Sequence, residues 1–292
     1  MSLLDSPGSS DSRFVEVEGL RLHYLQAGPE SGVPVILLHG WPTSAFLWRR
    51  VMPPIAEHRR VIALDLPGFG RSDKPLDASY SFRFYRRVLD AFFAFLDVEQ
   101  VGLVVHDLGG PVGLYWAVQA PERIERLAVL NTLVYPDISW AVKAFALSCR
   151  LPGARGLITS QWGLKKALHV GVSDPGGLDR EAVDGIQEPF AGGDARKALI
   201  KAGIGMHPKG LAEIARKLST LQFPVELIYG AEDRILPDIA RTMQRLKADI
   251  PQARLTELSG CGHFLQEERP DEVGRLLAEF FAPGASAADL KS

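Results

Sequence analysis

The sequence predicts a doubly wound α/β sheet interrupted by a helical insertion. Three observations point there. Short apolar runs end abruptly in Gly, Asp or Asn; helical segments alternate with them; and one long stretch in the second half carries no strand signal. Nearly continuous apolar runs suit parallel strands buried on both faces, and strands alternating with helices build a sheet covered on both sides.

Taken in order, residues 1–13 read as a flexible tail. "RFVEVEGLRLHYLQAG" then alternates apolar and polar residues about Glu18-Gly19, which predicts a β-hairpin. "VPVILLHG", "RVIALDLPG", "VGLVVHD" and "RLAVLNT" are the buried strands that follow, and "PVELIYG" and "ARLTELSG" come late. "SFRFYRRVLDAFFAFLDV" carries an apolar stripe, "GGPVGLYWAVQAPERI" opens on glycines, and "PDIARTMQRLKADIP" and "PDEVGRLLAEFFA" supply the last helices. Residues 135–219 break the rhythm: helix-like pieces such as "SWAVKAFALSC" and "QWGLKKALHV" are joined by turns such as "SDPGGLD". They read as a helical cap inserted after the sixth strand, with residues 14–134 and 220–292 forming the core domain.

At 292 residues, 46% of them hydrophobic and 23% charged, the chain is sized for one α/β domain with an inserted lobe. A net charge of −2 without a dense Lys/Arg cluster predicts no nucleic-acid partner, and "RVMPPIAEHRR" reads as a solvated face. Cys149 and Cys261 share no C-x-x-C spacing and no His-rich neighbourhood, so neither a metal site nor a redox motif is expected, and a reducing, cytoplasmic location fits. The start lacks the features of a signal peptide, and no apolar run approaches the roughly 18 residues of a membrane span, so no membrane partner is expected.

Ligands of open α/β sheets bind at the carboxyl ends of the strands. There the sequence places His39-Gly40-Trp41-Pro42, Asp65, His106-Asp107-Leu108-Gly109-Gly110, Asn131, Asp233 and His263. Asp107 stands where a strand breaks into a helix on glycines. That is the setting of a nucleophile elbow, and the free N–H groups of the helix start favour an ionised carboxylate. Asp107 taken alone reads equally as a helix cap. "GCGHF" puts His263 in a Gly-rich loop after the last strand, within reach of a base's task. "YGAEDRILP" puts Asp233 in the preceding loop, where a carboxylate can hold the tautomer of His263, with Glu232 a rival for that role. The backbone N–H groups of Trp41 and Leu108 are the candidate oxyanion hole. The order nucleophile, acid, base is that of α/β-hydrolases, and it favours nucleophile over cap.

Together these residues resemble the α/β-hydrolase superfamily over about residues 14–281. The resemblance implies a mostly parallel eight-stranded sheet with helices on both faces and a helical lid after the sixth strand. No G-x-S-x-G occurs, so Asp107 replaces the serine. Members with an Asp nucleophile are chiefly haloalkane dehalogenases, epoxide hydrolases and haloacetate dehalogenases. "HGWPTSAFLWR", "DLPGFGRSDKP", "VVHDLGGPVGLYWA" and "EPFAGGDARKAL" are similar to the first group. Asn131 leaves the end of the sixth strand without a carboxylate, which resembles the branch whose acid follows the insertion, at Asp233. The implied reaction is displacement of halide by Asp107, then hydrolysis of the alkyl ester by water activated at His263, with no cofactor and no metal. The implied partners are a small apolar organic substrate and water, and the chain is a monomer or homodimer.

The family's tryptophan after the nucleophile, which donates to the halide, is Leu108 here. Trp41, Trp140 and Trp162 are the candidate replacements, although core packing is the ordinary role of a cap tryptophan. Epoxide hydrolases are the alternative, but they protonate the opening oxygen with cap tyrosines, and only Tyr135 is near. Haloacetate dehalogenases need arginines after the nucleophile, where Leu108 and Pro111 stand. A catalytically inert ligand-binding relative is the alternative from another class.

Overall fold

In a computed structural model, which describes residues 10–284, the predicted hairpin pairs β1 (Asp11–Val17) with β2 (Leu20–Ala27) in antiparallel fashion. The strand starts earlier than the sequence suggests. Asp11 and Arg13 pair with Gln26 and Tyr24, so the length of β2 draws residues 11–13 out of the predicted tail. Residues 1–9 and 285–292 lie outside the described residues.

The core continues through β3 (Val35–Leu38), α1 (Met52–Ala56), β4 (Val61–Leu64), α2 (Phe82–Phe95), β5 (Val101–Asp107), α3 (Gly109–Ala117) and β6 (Ile124–Thr132). Six helices follow without a strand: α4 (Trp140–Arg150), α5 (Pro152–Ile158), α6 (Gln161–Gly171), α7 (Arg180–Gln187), α8 (Gly193–Gly205) and α9 (Pro208–Lys217). The chain then returns through β7 (Val225–Gly230), α10 (Ile239–Asp249), β8 (Arg254–Leu258), α11 (Leu265–Glu268) and α12 (Pro270–Phe280).

The eight strands form one sheet in the order β1-β2-β4-β3-β5-β6-β7-β8, parallel from β4 onward. Side chains alternate between faces along each strand. Ile36 and Leu38 join the core beneath α2 and α3, with Leu89, Phe92 and Trp116. Val35 and Leu37 join the opposite core, with Ile55 of α1 and Leu277 of α12. Ser81 caps α2, its hydroxyl accepting the Phe84 N–H, and the apolar stripe of the helix lies buried against the sheet as its periodicity predicts.

The chain passes from β3 out to β4 and then back to β5 on the other side of β3. That reversal opens a crevice at the carboxyl ends of β3 and β5, the strands that lead into Gly40-Trp41 and Asp107. The basic run is not a plain solvated face. Met52 and Ile55 are buried, and half-buried Arg59 forms an ion pair with Glu125. Among the described residues no helix is long and apolar enough to cross a membrane, and Cys149 and Cys261 are buried free thiols.

Candidate active site

The turn after β5 is held from three sides. Asp107 has φ +48°, a left-handed conformation that costs a side-chain-bearing residue energy unless its surroundings impose it. A Cβ at Gly109 would meet Leu38 O at 2.5 Å and His39 O at 2.6 Å, and one at Gly40 would run into the Asp107 side chain. Only glycines let the β3 loop and the start of α3 close on the turn. From β6, the Thr132 hydroxyl donates to the Asp107 carbonyl oxygen at 2.6 Å.

A line of contacts runs through this turn. The Trp41 N–H donates to Asp107 Oδ1 at 2.5 Å. Asp107 Oδ2 faces His263 Nε2 at 3.4 Å, an ionic contact rather than an aligned hydrogen bond. On its far side His263 Nδ1 donates to Asp233 Oδ2 at 2.7 Å. Asp233 Oδ1 accepts the Ile235 and Leu236 N–H groups, both at 2.8 Å. Asn131 Nδ2 donates to Asp233 Oδ2 at 2.8 Å, and Asn131 Oδ1 accepts the Gly230 N–H at 3.0 Å. Glu232 is exposed and lies outside this chain of contacts. The loop of His263 is fixed in turn, because its N–H donates to Gly171 O at 2.6 Å in the cap.

Burial alone would raise both carboxyls, but the imidazole of His263 outweighs it, and Asp107 and Asp233 are held below the ordinary carboxylate range. Burial opposes a charge on His263, yet the two carboxylates prevail and push it up to about 10. The two carboxylates thus favour the imidazolium form of His263. His106, packed against His263, is pushed down to about 3 by burial and by that positive neighbour, and donates Nε2–H to the His263 carbonyl at 2.9 Å. Asp65 and His39 serve the loops instead. Asp65 accepts the Ala45 and Arg71 N–H groups at 2.6 and 2.7 Å, and His39 Nε2 accepts the Leu66 N–H at 3.1 Å.

Above Asp107 lies a cavity of about 680 Å³, walled by residues such as Leu108, Leu133, Ile138, Phe145, Ile204 and Phe264. Of the proposed halide donors, Trp162 lines it, whereas two others need correction. Trp140 is 75% exposed at the start of α4 and takes no part in the lining. Trp41 lines the cavity, but its indole N–H already donates to Leu199 O of α8 at 3.1 Å. Tyr135 lies outside the lining and donates to Asp249 at 2.6 Å. No tyrosine lines the cavity. Among the described residues no group of three or more His, Cys, Asp or Glu is gathered to hold a metal ion.

Sequence reading valued Asn131 only for the carboxylate it lacks and passed over Thr132. Both sit at the carboxyl end of β6, beside β5, and that position was the available signal. It also missed Lys143, Arg150, Lys166 and Arg234, which rim the cavity. No spacing announces them, since they come from two helices and a loop.

Comparison with known proteins agrees with this architecture. A haloalkane dehalogenase of Sphingobium indicum is 33% identical over 294 residues, covering 92% of this chain and 95% of that one. A soluble epoxide hydrolase of a Corynebacterium species is 29% identical over 285 residues, covering 91% and 96%. The crystal structure of a haloalkane dehalogenase from Agrobacterium tumefaciens superposes with a TM-score of 0.79 at 28% identity, covering 96% of this chain and 97% of that one. The family model of the alpha/beta hydrolase fold matches residues 33–270. The chain belongs to the α/β-hydrolase fold family.

Proposed function

We propose that this hydrolase cleaves carbon–halogen bonds of small apolar molecules through a covalent ester on Asp107. Asp107 Oδ2 attacks the carbon in line with the leaving halide, and the alkyl–oxygen bond forms as the carbon–halogen bond breaks. Ester formation removes the Asp107 charge, one of the two charges that keep His263 protonated. His263 then releases its proton to solvent as the halide leaves, and its free Nε2 takes a proton from the water that attacks Cγ of the ester. The Trp41 and Leu108 N–H groups stabilise the oxyanion; collapse breaks the bond from Cγ to the alkyl oxygen, which takes the proton from His263 and leaves as the alcohol, and the Asp107 carboxyl returns its proton to His263. Asp233 holds the tautomer of His263, and Asn131 holds Asp233.

The observation that carries this reading is the arrangement of Asp107. One oxygen is held by the Trp41 N–H and the other faces His263 on the floor of an apolar cavity without tyrosines. The missing tyrosines favour halide over epoxide, since a departing halide needs no proton. Trp162 and the rim cations provide positive and N–H-bearing groups toward it. Relatives named haloalkane dehalogenase support the reading.

The test is His263→Gln incubated with 1-bromobutane or 1,2-dibromoethane, followed by peptide mass spectrometry. The expected result is an alkyl ester on the peptide containing Asp107, with one halide released per chain. An adduct from styrene oxide and none from haloalkanes would assign the epoxide reaction. No adduct and no halide release from the wild type would leave a binding protein.

A further inference from the structure

We infer that the cap face formed by α4, α5 and α6 docks on an anionic lipid surface, with the mouth of the cavity inside the contact. The composition of this segment differs from the rest of the chain. From Ile138 to Ser173 there is no Asp or Glu, while Lys143, Arg150, Arg155, Lys165 and Lys166 carry positive charge. The chain as a whole is slightly acidic, at −2.

The same segment holds nearly all the large apolar side chains that stand in solvent. Trp140, Leu147, Leu151, Leu157, Trp162 and Val170 are all exposed, and outside the segment Phe95 alone joins them among the described residues. α4 is mostly apolar, yet it buries only Cys149, and α5 buries nothing. On α4 the spacing of Trp140, Lys143, Leu147 and Arg150 puts them on one helical stripe, and exposed Leu151 follows at its end. Leu157, Trp162 and Val170 line the cavity together with Lys143, Arg150 and Lys166, so the exposed apolar and basic groups surround one opening. Among the described residues none of the five cations has a carboxylate partner, and Lys166 lies over the Trp162 ring at 5.9 Å.

Exposed Trp and Leu between Lys and Arg are the composition of an interfacial surface. The apolar groups enter the acyl boundary and the cations meet anionic headgroups. A second copy of this chain fits less well, because a two-fold contact through this face would bring five cations against five. The sequence expectation of no membrane partner rested on the lack of a spanning segment, which a surface contact does not need. On the reading of an apolar substrate, the contact would let substrate pass from the bilayer into the cavity. The docking itself stands whether or not that reading holds.

The test is sedimentation of the full chain with vesicles at low salt, either equimolar phosphatidylglycerol and phosphatidylcholine or phosphatidylcholine alone. Binding is expected on the anionic vesicles and is expected to fall with added salt. Each cation near such a surface contributes roughly fivefold to partitioning, so Arg155→Glu/Lys165→Glu should weaken binding by about 25-fold or more. Leu147→Ser/Leu151→Ser should weaken it as well. None of these four residues lines the cavity, so halide release from dissolved 1-bromobutane should stay within twofold of wild type in both variants. No sedimentation with anionic vesicles, or sedimentation unaltered in both variants, overturns the proposal. So does a dimer in sedimentation velocity that Leu147→Ser/Leu151→Ser dissolves, which would assign the face to a second copy.

Discussion

Asp233→Asn separates the two chemical steps, because the structure dictates how the new amide must turn. Two backbone N–H groups, from Ile235 and Leu236, point at Oδ1. The amide oxygen must stay there, since an NH2 in that place would leave both donors unsatisfied at roughly 1–3 kcal/mol each. The NH2 therefore occupies the place of Oδ2, facing His263 Nδ1 at 2.7 Å and Asn131 Nδ2 at 2.8 Å. Asn131 cannot turn over to accept it without losing the Gly230 N–H that its own oxygen receives. His263 must then accept at Nδ1, which leaves its single proton on Nε2, toward Asp107. Asp107 is still ionised and still attacks, so alkylation should change by less than about tenfold. A base whose acceptor nitrogen is already protonated takes no proton from water, so hydrolysis of the ester should slow by roughly 10³–10⁴, or about 4–5.5 kcal/mol on that barrier. Rapid-quench kinetics with 1-bromobutane should show a burst of one halide per chain, followed by a slow phase. Equal loss in both steps, or steady-state kcat within threefold of wild type, would refute this reasoning.

The other two predictions concern stability. In Asn131→Ala the Gly230 N–H and an Asp233 oxygen lose buried partners, so unfolding free energy should fall by about 2–4 kcal/mol in urea titrations; a change below about 0.5 kcal/mol would remove Asn131 from the site. His263, raised to about 10, contributes stability that is complete below its unfolded value near 6.5 and fades as pH climbs toward 10, whereas the lowered Asp107 and Asp233 contribute above their ordinary range and lose it in acid. Between pH 7 and 10 the wild type should therefore lose more thermal stability than Asp107→Asn, in which one of the two charges acting on His263 is gone; parallel pH profiles would contradict the ion pair.

The fold was legible because its signals are local. Runs such as "VPVILLHG" and "VGLVVHD" are buried on both faces, and buried strands advertise themselves by continuous apolarity. The convergence of Asp107, Asp233 and His263 was legible because each follows a recognisable strand, and strand ends converge on one edge of the sheet. The donors were harder to read. A tryptophan's letter does not say whether its N–H is free: Trp41 gives it to Leu199, Trp140 turns to solvent, and only the packing of α4 and α8 distinguishes them. The rim cations were illegible for a related reason, since which helix flanks the opening is a tertiary fact. The start of β1 was misjudged because strand length is set by the partner, here β2, and residues 11–13 carry little apolar signal of their own.

Trp41 joins parts that are usually thought of separately. Its N–H holds Asp107, its ring packs edge-on against Phe145 of α4 at 4.7 Å, and its indole N–H reaches the carbonyl of Leu199 in α8. The cap is thus not an interchangeable cassette. Grafting the cap of a relative onto this core to import another substrate range would also disturb the donor on which the proposed ester chemistry depends. Successful chimeras should be those that carry residue 41 and its two cap neighbours across together.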